Sequence, residues 1–210
     1  MDTHHDCEQK LRESIEDEAF VLPFLEKTGL FEGGLRHSTA HADLAEATDV
    51  VDAAGTRVSL RGMPFSSLGF SDSFTLRLCR VCGRDPKTGG LPQIHEFRSA
   101  IDRNERCRDG SFHHSSNEFA KLRKFGVKYH FHYFVNRQRT GIVACTLVDL
   151  PAFFEAFDAD RWGCLLQERA FPAPDKQSTP FVNLRVFQPN STEKMPYVLG
   201  HHSPKVINSI

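Results

Sequence analysis

The chain has 210 residues, 40% of them hydrophobic and 25% charged, with a formal net charge of −1. These proportions are ordinary for a globular protein able to bury a core, and the near-zero charge leaves any affinity for nucleic acid to a local basic patch. No apolar run approaches the ~18 residues of a membrane-spanning helix. The polar start Met1-Asp2-Thr3-His4-His5-Asp6 does not read as a signal peptide, so a cytoplasmic protein without a membrane partner is expected.

From Glu8 to about Lys27, good helix formers carry Leu11, Ile15, Ala19 and Leu22 at helical spacing. Pro23 should kink this helix or split it, and Gly29 and Gly33-Gly34 should end it. Arg36 to Ala42 reads as a polar connector. Thr48 to Arg61 reads as two short strands around the turn Ala53-Ala54-Gly55, which pairs Asp52 with Thr56 and therefore Asp49 with Ser59. Side chains alternate along strands, so Asp49, Ser59 and Arg61 share one face, and Val58 and Leu60 the other. An acid and a base so held can bind a divalent metal and neutralise a phosphate, although an ordinary amphipathic hairpin has the same pattern. Asp52, beside the turn, suits turn chemistry.

Gly62 to Asp72 reads as a loop, and Ser73 to Val81 alternates as a strand. Residues 82–114, broken by Gly83, Pro86, Gly89-Gly90, Pro92 and Gly110, read as an insertion. A helix follows from Ser115 or Ser116 to Lys124, with Glu118 in its first turn, Lys121 one turn later and Gly126 as terminator. Lys128 to Val135 is the strongest strand, with Tyr129, Phe131, Tyr133 and Val135 on one face and Lys128, His130 and His132 on the other. The two histidines read as surface residues, with a metal pair as the alternative. Gly141 to Val148 is a second apolar strand, and Pro151 opens a helix through Phe157. Beyond Ala170, prolines leave one strand, Phe181 to Phe187, in an extended segment 171–210 suited to a protein partner, with His201-His202 as a tail feature. The whole is an α/β (α+β) arrangement: a mixed central sheet flanked by helices over 1–170, then the tail.

Six cysteines are scattered through the chain. Cys145 and Cys164 sit among apolar neighbours and read as core. Cys79 and Cys82 form a C-x-x-C, and with Cys107 and either His95 or His113 they could staple the insertion through a tetrahedral Zn²⁺; two unconnected thiols are the alternative.

The element order and its residues resemble the PD-(D/E)XK nuclease superfamily, whose fold is restriction-endonuclease-like, over roughly Glu8 to Phe157. Asp49 stands where the family's strand acid belongs, and Ser59-Leu60-Arg61 stands in place of its acid-x-lysine pair. Asn117 to Lys121 falls on the helix carrying auxiliary polar residues, and Glu18 or Glu26 on the first helix could supply the additional acid. The resemblance implies a Mg²⁺- or Mn²⁺-dependent hydrolase acting on nucleic acid. Asp49, with Glu118 or Glu18, would hold the metal, Arg61 would stabilise the phosphate, and Lys121 would orient it. The departures are Ser59 for the second acid and Arg61 for the lysine. Serine is a poor metal ligand and arginine cannot act as a base. They suggest the alternative of an inactive nuclease-fold scaffold serving in a nucleoprotein or viral assembly.

Overall fold

A six-stranded mixed sheet divides the molecule into two packed layers. The computed structural model describes residues 3–39, 43, 46–71, 73–80, 118–159, 164–169, 181–187, 195 and 197–202. In chain order they form α1 (Thr3–Glu26), β1 (Leu35–His37), β2 (Val50–Asp52), β3 (Arg57–Met63), a 3-10 helix (Phe65–Phe70) and β4 (Ser73–Arg80). Then come α2 (Glu118–Lys124), β5 (Tyr129–Val135), β6 (Ile142–Asp149), α3 (Leu150–Asp158), β7 (Cys164–Arg169), β8 (Phe181–Phe187) and β9 (Val198–His202).

The large sheet has the order β1-β2-β3-β5-β6-β9, and β4, β8 and β7 form a second, three-stranded sheet. All pairings are antiparallel except β3 with β5, which run parallel. Two antiparallel strands can be joined by a tight turn, whereas a parallel pair needs a long crossover. Here that crossover contains β4 and α2, and it carries α2 beside β3. An α+β fold with a mixed sheet is therefore present, as expected from the sequence.

The β2–β3 turn forms as read. Asp52 N–H donates to Thr56 C=O at 3.2 Å, Gly55 N–H donates to Asp52 C=O at 3.1 Å, and Gly55 takes φ +84°, a left-handed conformation that costs glycine little. The Asp52 carboxylate accepts from the Thr56 amide at 2.7 Å and the Glu32 amide at 3.2 Å, which is the turn role its position suggested.

Several expectations are corrected. The first helix is not split at Pro23: it continues to Glu26, where Val21 and Leu25 are fully buried on the sheet and Phe24 stacks on Phe131, holding the last turn in place. Its buried stripe is Asp17, Val21 and Leu25 rather than one centred on Ile15, which is 58% exposed. Asp17 tolerates this place because Arg139 donates to its Oδ2 at 2.8 Å and the Tyr133 hydroxyl does so at 3.4 Å. Part of the expected connector after Arg36 is the edge strand β1, and the segment after Met63 winds into a 3-10 helix instead of a plain loop. Beyond residue 170, β8 joins β4 and β7, and β9 joins β6, so the stretch read as an extended tail supplies strands to both sheets.

On one face of the large sheet, Phe131, Tyr133, Cys145 and Leu147 pack beneath Val21 and Leu25 of α1. Gly62 matters here: a Cβ at this position would lie 2.7 Å from the Tyr133 hydroxyl and 2.9 Å from its Cζ. The ring is buried and tethered to Asp17, so it has little freedom to retreat. Gly62→Ala is expected to cost about 1–3 kcal/mol, read as a lower urea midpoint. An unchanged midpoint would mean that Tyr133 has room to move.

On the other face, Phe74 and Leu76 of β4, Phe119 and Leu122 of α2, and Leu150, Phe153 and Phe157 of α3 enclose Val148. Asp149 caps α3, accepting from the Ala152 amide at 3.1 Å, and its other oxygen accepts from Lys128 Nζ at 2.7 Å. Among the described residues, no helix is long and apolar enough to cross a membrane.

Candidate functional site

Asp49 sits just before β2, and its backbone is held from both sides. Its N–H donates to Val58 C=O at 3.0 Å, and its C=O accepts from Ser38 N–H at 2.9 Å. The chain enters this position through Ala47 at φ 53°. Left-handed backbone at a residue other than glycine costs on the order of 1 kcal/mol and persists only where its surroundings enforce it. With β2 and β3 in the register Val50↔Val58, the Asp49 carboxylate reaches over β3, and its Oδ2 accepts from the Leu60 amide at 2.5 Å.

Arg61 lies further along β3. Its Nη1 donates to Glu118 Oε2 at 2.5 Å, and the two side chains are only 18% and 16% exposed. This contact ties the first residue of α2 to β3. It also brings Glu118 into the electrostatic neighbourhood of Asp49. A third carboxyl, Asp43, completes the group through a side-chain hydrogen bond to Asp49. Burial pushes the Asp49 carboxyl up to about 7, against the opposing Leu60 amide and with reinforcement from the charges of Asp43 and Glu118. Asp49 therefore changes charge near neutral pH, which an ordinary aspartate does not.

Glu18 approaches from the other side. Its Oε2 lies 2.7 Å from His37 Nδ1, and it is within electrostatic reach of Asp43. Its carboxyl is raised above the usual range, first by burial, with His37 opposing and Asp43 and Asp17 adding. The acids Glu18, Asp43, Asp49 and Glu118 thus form a chain from α1 to α2 around the end of the β2–β3 hairpin.

Arg61 begins a polar row across the sheet that is buried at His132 and Thr146. Arg61 is opposite His132, His132 opposite Thr146, and Thr146 opposite His201, so the row crosses β3, β5, β6 and β9. The Thr146 hydroxyl and His201 Nδ1 are 2.9 Å apart. In the next row Ser59 faces His130. His130 and His132 do share a face, as the alternation required, but they are interior rather than surface residues, at 0% and 2% exposure. The second layer, including Phe74 at 6.2 Å from the His130 ring, covers them. His201 is likewise a strand residue rather than a tail feature.

Burial pulls His130 down to about 4, with Glu118 opposing and Arg61 reinforcing, so it is neutral at physiological pH. Neither of its ring nitrogens has a hydrogen-bond partner among the described residues, and neither has Arg61 Nε.

The residues read from the sequence thus gather in part. Asp49, Arg61 and Glu118 come together. Ser59 is nearly fully buried beside His130. Lys121 lies one turn beyond Glu118 on α2. Glu18 joins the group through Asp43 rather than as a direct neighbour of Arg61. Of the proposed zinc ligands, Cys79 lies on β4, while Cys82, His95, Cys107 and His113 fall outside the described residues.

As arranged, the cluster does not fit a divalent cation. Asp49 is engaged by the Leu60 amide and by Asp43, and Glu118 by Arg61. Among the described residues, no three Asp, Glu, His or Cys side chains are grouped to hold a metal ion. A magnesium site normally needs several oxygen donors around one point.

Sequence reasoning missed two members of the group, Asp43 and His130. Asp43 lies in a stretch without periodicity, so nothing local marks it. The alternation did place His130 on the polar face of its strand, but the pairing that seats it beside Ser59 is non-local. No protein family, curated protein or solved structure matches the chain.

Proposed function

We propose that this protein acts on nucleic-acid phosphodiesters where the β2–β3 hairpin meets α2. The carrying observation is Asp49, a carboxyl poised near neutrality and surrounded by acids, with a guanidinium one residue beyond the amide it grips. A group whose pKa lies near the working pH is suited to general acid–base chemistry. In this reading Asp49 accepts the proton of a water attacking phosphorus, and Arg61 neutralises the phosphate oxygens. The opposite P–O ester bond breaks, and its alkoxide leaves and takes a proton from solvent. The order of α1, the β1–β2–β3 meander, α2 and the parallel strand β5 is compatible with the nuclease resemblance. The metal dependence implied by that resemblance enters no step, because the donors are engaged elsewhere.

A second reading, binding without cleavage, is favoured by Ser59 in the second-acid position and by Glu118 already occupying Arg61. Labelled DNA and RNA incubated with the purified protein, with Mg²⁺ or Mn²⁺ supplied, separate the two. Cleavage is expected in the parent and should fall about a hundredfold or more in Asp49→Asn. Cleavage untouched by the substitution would reject the assigned role of Asp49. Binding without cleavage would establish the second reading.

A further inference from the structure

Arg61 is satisfied on one side of its guanidinium and not on the other. Glu118 takes Nη1 at 2.5 Å, while Nε is buried and has no acceptor among the described residues. Beside it His130 is fully buried, and neither ring nitrogen has a hydrogen-bond partner among the described residues. Unfulfilled buried donors are rare, because each has given up its hydrogen bonds to water without replacement. Two such groups on adjacent strands, both in the electrostatic neighbourhood of one carboxylate, mark a place that favours an oxygen-rich anion.

We propose that Arg61 is the oxyanion site for a nucleic-acid phosphodiester, and that Glu118 is an internal stand-in that the phosphate displaces. The assignment deepens the function proposed above and rests on it for the identity of the substrate. A carboxylate resembles a phosphate to an arginine, since both accept paired N–H donors. Glu118 is the first residue of α2, within the crossover, so its side chain sits at a helix end. The phosphate then gains the guanidinium, including its unfilled Nε–H. Glu118, once expelled, lies close to the acidic Asp49 and Asp43, a repulsion that limits how readily the site opens without a ligand.

The test is fluorescence anisotropy with short labelled DNA and RNA oligonucleotides in EDTA, so that neither metal nor turnover contributes. Glu118→Gln is expected to tighten binding about tenfold by removing the competing charge. Arg61→Gln is expected to weaken it by at least as much. Because Arg61→Gln strands a partly buried carboxylate, the doubly neutral Arg61→Gln/Glu118→Gln variant is measured beside it, with circular dichroism to verify folding, and should bind as weakly.

Oligonucleotide binding that none of these substitutions alters would overturn the stand-in while leaving nucleic-acid binding intact. If oligonucleotides fail to bind but calorimetry shows pyrophosphate binding to Glu118→Gln and not to the double variant, the oxyanion site stands and the substrate assignment falls. If neither probe binds any variant, both are overturned.

Discussion

Asp49→Asn is expected to melt well above the parent protein at about pH 8 and together with it near pH 4. Asparagine mimics the protonated carboxyl: its oxygen can still accept from the Leu60 amide, and it carries no charge towards Asp43 or Glu118. In the unfolded chain the aspartate titrates near its ordinary value of 3.8, and in the fold near 7. The folded state therefore holds the proton more tightly. The stability this provides is fully present below the unfolded value and is lost as pH rises through the folded one. At ~1.4 kcal/mol per pH unit the ceiling is about 4 kcal/mol, and relaxation around a partly accessible group brings the expected gain to about 2 kcal/mol. That corresponds to a rise of about 5 °C or more. His130 acts in the opposite sense. Its folded value, near 4, lies below the ordinary 6.5, so its contribution is present above the unfolded value and is lost as pH falls. The two nearly cancel between about pH 4 and 6.5, and Asp49→Asn should unmask the histidine as a stability that rises with pH across that window. Parallel melting curves for parent and variant at all pH values would show that Asp49 titrates normally.

Phe153→Ala should cause the largest loss. Its ring is fully buried and lies 5.6 Å from Phe74, 5.5 Å from Phe154, 6.0 Å from Phe157 and 5.4 Å from Tyr197. It joins α3 to β4 and to the residue preceding β9, so truncation leaves a void bordered by three elements. Phe→Ala changes in cores cost about 3–5 kcal/mol, a large part of the 5–15 kcal/mol that holds a typical domain folded. The expected result is a drop in melting temperature of about 10 °C and a weakened near-ultraviolet signal from loosened aromatic packing. The loss should reach the candidate site as well, because Phe119, one residue after Glu118, packs on Phe154 and Phe157. A variant that melts like the parent would show that this layer can close without the ring.

Local signals made part of this molecule legible in advance. The β2–β3 register followed from a glycine-containing turn and two short runs, and β4, β5, β6 and β8 followed from alternation or apolar runs bounded by turn residues. Other features depend on partners far away in the chain. Alternation states which side of a strand His130 and His132 occupy, but not that β4, α2 and α3 would cover that side. The stripe on α1 was misjudged because Asp17 takes a core position by virtue of Arg139 and Tyr133, both well over a hundred residues distant. Strands β1 and β9 have too few residues, and too mixed a pattern, to stand out from their surroundings. Within the site, Asp49 and Arg61 were visible because one hairpin presents them. Asp43 was not, because only the fold brings its connector against that hairpin.

The place of β9 bears on how the chain reaches its final state. Strand β6 is flanked by β5, which is made just before it, and by β9, which is made much later. During vectorial synthesis the stretch Ala144–Val148 consequently emerges with one flank of backbone donors and acceptors unclaimed, and it is almost entirely apolar. Such an open flank invites pairing with a neighbouring nascent chain. Completion of the sheet thus depends on timing, and a ribosome pausing between these two strands prolongs the interval in which self-association competes with correct closure.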